Sequence, residues 1–169
     1  MSALFVYQQP EPMRSLQAVL ERQAVVAARA RSCQEARQIL NKKNPPHVIF
    51  TDTALPDGSW ADVLRLAAQA PQFSNVIVVA RLLDTRLYIE AIEAGAFDFL
   101  APPFVAADLA HIVHCAVDSA LTRRSAEARL GESLPAKLLP ASSAPILASP
   151  QGRRSGTQAS AARLSAKGT

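Results

Sequence analysis

Apolar residues over the first 120 positions alternate between two textures. Five short runs are apolar with little internal alternation: "ALFVY" at 3–7, "AVVAA" at 24–28, "HVIFT" at 47–51, "NVIVVA" at 75–80 and "FDFLA" at 97–101. That is the pattern of strands covered on both faces. Between them the apolar positions recur every three or four residues, as on one side of a helix. Residues 13–22 align Met13, Leu16, Val19 and Leu20 behind Pro12, a residue suited to a first turn. Ser32 and Glu35 form a capping box before "ARQIL". Residues 60–69 carry Val63, Leu64 and Ala67, and residues 84–94 open at Asp84 and close at Gly95. The last stripe, from 105 to 124, sets Leu109, Ile112, Val113, Ala116, Val117 and Ala120 on one face.

Strands alternating with helices predict a doubly wound α/β fold of (βα)5 type: a five-stranded parallel sheet, right-handed crossovers, helices on both faces. In such sheets ligand chemistry gathers at the carboxyl ends of the strands. The residues placed there are Tyr7, Gln8, Asp52, Ala80 and Pro102.

Charge and composition divide the chain. Residues 1–124 hold 12 basic and 12 acidic side chains, and residues 125–169 hold 6 and 2, so the net charge of +4 belongs to the second part. The first part is expected to be one domain, and its neutrality gives no footprint for a phosphate backbone. A nucleic-acid partner is not expected. The second part, dominated from about residue 131 by Ala, Ser, Pro and Gly, is expected to be a disordered tail, with "PAKLLP" and "APILA" as candidate partner-binding motifs. Cys33 and Cys115 have no CxxC spacing, which argues against a disulfide framework or a thiolate metal cage. The opening "MSALFVYQQPEP" has no basic leader, and no apolar run approaches the roughly 20 residues that span a bilayer. A cytoplasmic protein that does not enter the membrane is expected.

Two stretches carry a resemblance. "VIFTDTALPDG" delivers Asp52 to the end of a strand ahead of a Pro and Gly turn, and "AIEAGAFDFLAPPF" closes the last strand. Together they resemble the receiver domain of bacterial response regulators over roughly residues 3–121. The resemblance implies the flavodoxin-like strand order 2-1-3-4-5. It makes Asp52 the phosphoacceptor position and Phe99 the switch aromatic, and it implies a cis bond between Pro102 and Pro103. In the family an acidic pair after the first strand holds Mg²⁺, a Ser or Thr ends the fourth strand, and a Lys precedes the last proline. The matching positions here are Tyr7 and Gln8, Ala80, and Pro102. Four of the five functional positions are replaced.

A hard cation needs oxygen donors, chiefly carboxylates. Each lost ion pair near 4 Å removes roughly 4 kcal/mol of gross interaction at an effective dielectric of about 20. The expectation is therefore a module that is not an enzyme, needs no cofactor, and acts in a two-component pathway by protein contact without phosphorylation. The alternative is a receiver that still accepts a phosphoryl group on Asp52 from a histidine kinase, with Mg²⁺ as its cofactor. Asp52 also has a bland reading, shaping its turn through backbone bonds, and Asp57 and Gly58 are assigned to that turn. The expected partner is a signalling protein such as a histidine kinase or an effector. Leu87, Ile89, Val113 and Val117 on the last two helices are read as an interaction surface, which would also serve a homodimer. "HIVHC" puts His111, His114 and Cys115 on one side of a helix at metal-compatible spacing, with an exposed polar face as the expectation.

Overall fold

A computed structural model describes residues 1–20 and 25–132. The elements are β1 (Ser2–Val6), α1 (Met13–Leu20), β2 (Val26–Ala30), α2 (Cys33–Leu40), β3 (Val48–Asp52), β4 (Ala54–Leu55), β5 (Gly58–Ser59), α3 (Trp60–Gln69), β6 (Asn75–Val79), α4 (Thr85–Glu93), β7 (Asp98–Leu100) and α5 (Ala106–Glu132). The five-stranded sheet is parallel throughout in the order β2-β1-β3-β6-β7, which is the 2-1-3-4-5 order once the β4–β5 hairpin is set aside. The expected doubly wound fold is present.

The two-residue period of a strand sorts the core. Ala3 and Phe5 of β1 face one side with Val48 and Phe50 of β3, under α1 (Met13, Leu16, Leu20) and α5 (Leu109, Val113, Val117). Phe5 and Phe50 stack with centroids 5.0 Å apart. Leu4 and Val6 face the other side with Ile49, under α2 (Cys33, Ala36, Leu40) and α3 (Val63, Ala67). A third cluster joins Val78, Ala80, Ala91 and Phe99, with Trp60 and Leu87 against it. Each fully buried Leu, Ile or Phe contributes about 2 kcal/mol against exposure.

Helix ends follow the sequence signals. Ser32 Oγ accepts from Glu35 N at 3.1 Å, while the Glu35 carboxylate takes the Arg31 N–H at 2.8 Å, one residue earlier than in the usual reciprocal box. Asp84 caps α4 by accepting from the N–H groups of Arg86 and Leu87. Gly95 terminates α4 with φ +99°, the left-handed conformation that glycine alone adopts at little cost. The bond from Pro102 to Pro103 is cis, as is that from Glu11 to Pro12.

Three expectations are corrected. The second strand is Val26–Ala30 rather than 24–28, and its outer residues are exposed because it is a sheet edge paired only to β1. The last helix continues past residue 124 to Glu132. Val113 and Val117 are 1% and 5% exposed, so these two belong to the core beneath α5 and not to an interaction surface. Leu87 is half-buried against Phe99, and only Ile89 of the four named residues is open to solvent. No helix among the described residues is long and apolar enough to cross a membrane. The tail beyond Glu132, with its candidate motifs, lies outside the described residues.

Candidate functional site

Parallel pairing of β3 between β1 and β6 puts Asp52 at the carboxyl edge of the central strand, opposite Val79. Its side chain is buried, 6% exposed. Oδ1 accepts the Thr53 N–H at 2.8 Å and the Thr53 hydroxyl at 3.4 Å. Among the described residues no group donates to Oδ2. Burial raises the pKa of Asp52 above the ordinary carboxylate range, while the Thr53 N–H, the charge of Arg81 and the Thr53 hydroxyl pull the other way.

A cleft of about 280 Å³ opens over Asp52, lined by Gln8, Gln9, Thr53, Ala54, Leu55 and Arg81. Asp52 is its one acidic side chain. Arg81, the residue after Ala80, bonds Gln9 Oε1 across the cleft. A basic residue at this edge is signalled in the sequence only by its position directly after the fourth strand of the sheet.

The replaced positions converge on this edge, as the resemblance implied. Tyr7 is half-buried and packs on the α1/α5 core. Gln8 is exposed and lines the cleft. Ala80 is 4% exposed and its N–H bonds Leu100 O at 2.8 Å. Pro102 is exposed beside Gln9 and Arg81. Phe99 already lies inside, 6% exposed, edge-on to Tyr88 at 5.9 Å and clustered with Ala80 and Ala91.

The turn beyond Asp52 has a task that sequence reasoning missed. The β4–β5 hairpin presents Asp57 to the start of α2, where Oδ1 accepts from Cys33 N at 2.7 Å and Oδ2 from Gln34 N at 2.9 Å. Those two bonds hold the Asp57 carboxyl below its ordinary value. They also close the positive end of α2 to outside anions. Burial, reinforced by Asp57, pushes the Cys33 thiol up to about 11, so it is no nucleophile at neutral pH.

The three groups of "HIVHC" separate into two local pairs. His111 Nε2 lies 3.7 Å from Cys115 Sγ, and His114 Nε2 lies 3.2 Å from Asp118. No group of three or more His, Cys, Asp or Glu side chains among the described residues is placed to hold a metal ion.

Comparison with known proteins agrees with this geometry. The family model of the response regulator receiver domain matches residues 4–114. The response regulator protein PilR of Pseudomonas aeruginosa is 32% identical over 145 residues, covering 81% of this chain and 32% of that protein. The chain thus spans about a third of the length of that relative. Among solved structures, a response regulator receiver domain protein from Clostridium thermocellum is 26% identical with a TM-score of 0.59, covering 70% of this chain and 94% of the other. The signal receiver domain of a histidine kinase from Syntrophus aciditrophicus is 25% identical with a TM-score of 0.58, covering 70% and 90%.

Proposed function

The chain belongs to the response regulator receiver family of two-component systems, and on that premise we propose that it signals by protein contact without metal-dependent phosphorylation of Asp52. One observation carries the reading: the cleft over Asp52 holds a single carboxylate and an arginine. A Mg²⁺ ion demands near-octahedral oxygen ligation and draws its protein ligands mainly from carboxylates. Gln8 and the Ala54 region offer only neutral oxygens, and Arg81 repels a second cation. Without the ion, the charge developing on a transferred phosphoryl group has no counterpart.

The packing of Phe99 supports the same reading. A ligand shifts a two-state element only through contacts that differ between the states. Phe99 is already packed inward and Ala80 has no hydroxyl for a phosphoryl group to draw on. The partner surface is α4 and the loop before it, where Leu82, Leu83, Tyr88, Ile89 and Ile92 are exposed. Exposed apolar side chains gathered on one helix and the loop before it suit a contact site. The partner is a signalling protein such as a histidine kinase or effector, or a second copy. In this reading the chain is not an enzyme, needs no cofactor and works in the cytoplasm.

A second reading rests on Asp52 Oδ2, which has no donor among the described residues and borders an open cleft. It keeps Asp52 as a phosphoacceptor served by a histidine kinase and Mg²⁺. Incubation with acetyl phosphate and Mg²⁺, followed by intact mass, separates the two. The expected result is an unmodified chain; a stoichiometric gain of one phosphate that is lost in Asp52→Asn establishes the second reading instead.

A further inference from the structure

Next to the Asp52 cleft, where β1 and β2 end and α1 begins, lies a cavity of about 470 Å³ lined by Tyr7, Gln8, Arg14, Gln17, Arg29 and Arg31. Among the described residues three arginines and no carboxylate line it. Arg29 and Arg31 are two residues apart at the end of β2, and Arg14 comes from the first turn of α1. Among the described residues none of the three guanidinium groups pairs with an acid, since Glu35 engages the Arg31 backbone N–H instead.

Gln17 supplies an independent observation. It is 6% exposed, and its Oε1 accepts from Arg29 Nη2 at 2.9 Å. A guanidinium only donates, so the amide oxygen must face Arg29 and the NH₂ group must face elsewhere. There Nε2 is a buried donor with no partner among the described residues. Such an orphan is costly, and native structures keep few of them without a reason. Three guanidinium groups around one cavity, none of them paired with an acid among the described residues and one oriented by a buried amide, are complementary to a multivalent anion with acceptors on several sides.

We propose that this cavity binds the polyphosphate group of a small molecule the size of a nucleoside diphosphate, held by Arg14, Arg29 and Arg31, with the Gln17 amide oxygen orienting Arg29. Guanidinium forks match phosphate oxygens two at a time. The cavity volume falls in the roughly 300–1,000 Å³ range of small-molecule sites. Gln8 lines both this cavity and the cleft over Asp52. Occupancy of the arginine cavity therefore bears on the same edge of the sheet that phosphorylation would address, with opposite electrostatics: an anion is recruited beside the place where the family recruits a cation. The loss of acidic side chains at Tyr7 and Gln8 is what makes that inversion physically consistent.

Calorimetric titration of the full chain with pyrophosphate, ADP and malonate tests the proposal. Saturable binding of pyrophosphate or ADP is expected, weakening as salt rises and reduced about tenfold or more in Arg14→Ala/Arg31→Ala. Both of those side chains are exposed, so the variant is expected to keep the wild-type melting temperature, which is measured alongside. Gln17→Leu is expected to weaken binding, because it removes the acceptor that orients Arg29. No saturable binding of either phosphate compound up to about 5 mM, on the scale where Kd of 1 mM is a weak complex, overturns the proposal. So does binding undiminished in the folded double variant, or malonate binding as tightly as pyrophosphate.

Discussion

The two edges of the sheet use arginine in opposite ways. At the amino edge, where α5 passes the loops leading into β3 and β6, Arg124 donates to Phe73 O at 2.6 Å, Pro46 O at 2.7 Å, Pro45 O at 3.3 Å and Ser74 Oγ at 3.3 Å. Ser74 Oγ in turn donates to Pro46 O, Asn75 Nδ2 donates to Ala116 O at 2.7 Å, and Arg123 lies 4.4 Å over the Phe73 ring. At the carboxyl edge Arg14, Arg29, Arg31 and Arg81 line open cavities, and the Gln17 amide has a donor with no partner among the described residues. The first set is a saturated clasp whose charge is spent on backbone carbonyls. The second set gives two side-chain bonds to amide oxygens and, among the described residues, none to backbone carbonyls.

The largest expected effect follows from that contrast. Arg124→Met removes the four hydrogen bonds of the guanidinium and leaves the Phe73 and Pro45 carbonyls without that donor, so urea unfolding should show a loss of about 2–3 kcal/mol. Arg124→Lys should recover only part of it, because one ammonium cannot reproduce the planar fork. Arg31→Met at the other edge should change stability by no more than about 0.5 kcal/mol. Equal losses at the two sites would break the comparison.

The same contrast explains what the sequence made legible. The fold was, because strands buried on both faces and helices with one apolar stripe differ in period, and a parallel sheet follows; the order of its strands came from the family resemblance. Asp52 and its four replaced neighbours were also legible, since each sits at the end of an element whose position the pattern sets. The arginine cavity was not. Its walls come from α1, β1 and β2, and the apolar maximum "AVVAA" drew the second strand two residues early, leaving Arg29 and Arg31 in a loop. Pairing to β1, with Ser2 opposite Val26, sets the true register, and apolarity is low there because the strand is an edge. The extension of α5 was missed because residues 125–132 carry no apolar stripe; Ala, Arg, Glu and Leu favour helix by propensity alone. Val113 and Val117 looked surplus only until α5 was packed on β3 and β6.

A smaller effect probes the hairpin that joins the carboxyl edge to α2. A Cβ on Gly58 would stand 2.7 Å from Asp62 Oδ2 and 3.0 Å from Cys33 Sγ. The Asp62 oxygen is held by the Ser59 N–H at 2.9 Å, so it cannot simply swing aside. Gly58→Ala should cost about 1–2 kcal/mol by overpacking. Since Asp57 then presents its carboxylate less well to Cys33 and Gln34, hydrogen exchange of those two amides should quicken more than exchange at the amino edge.

The smallest effect concerns Asp52 and has a sign of its own. Its pKa is raised in the folded state, chiefly by burial, so at neutral pH the fold bears the cost of an ionised carboxylate that the unfolded chain leaves in water. The favourable contribution of the protonated form is complete below the ordinary carboxylate value and is lost as pH rises through the folded value. Asp52→Asn does not titrate. Its melting temperature should therefore exceed that of the wild type at pH 7, by an amount equivalent to less than about 1 kcal/mol, and the gap should close as pH falls through the carboxylate range. His47 at the amino edge titrates with the opposite consequence: burial, Arg124 and the chain amino terminus lower its pKa, so protonation below the ordinary histidine range weakens the fold. Thermal melts of the wild type, Asp52→Asn and His47→Gln between pH 4 and 8 should show the wild-type deficit against Asp52→Asn growing with pH. The deficit against His47→Gln should grow as pH falls. An Asp52→Asn variant less stable than the wild type at pH 7 would mean that the carboxylate, through Thr53 and Arg81, is a structural partner at this edge rather than a group left uncompensated.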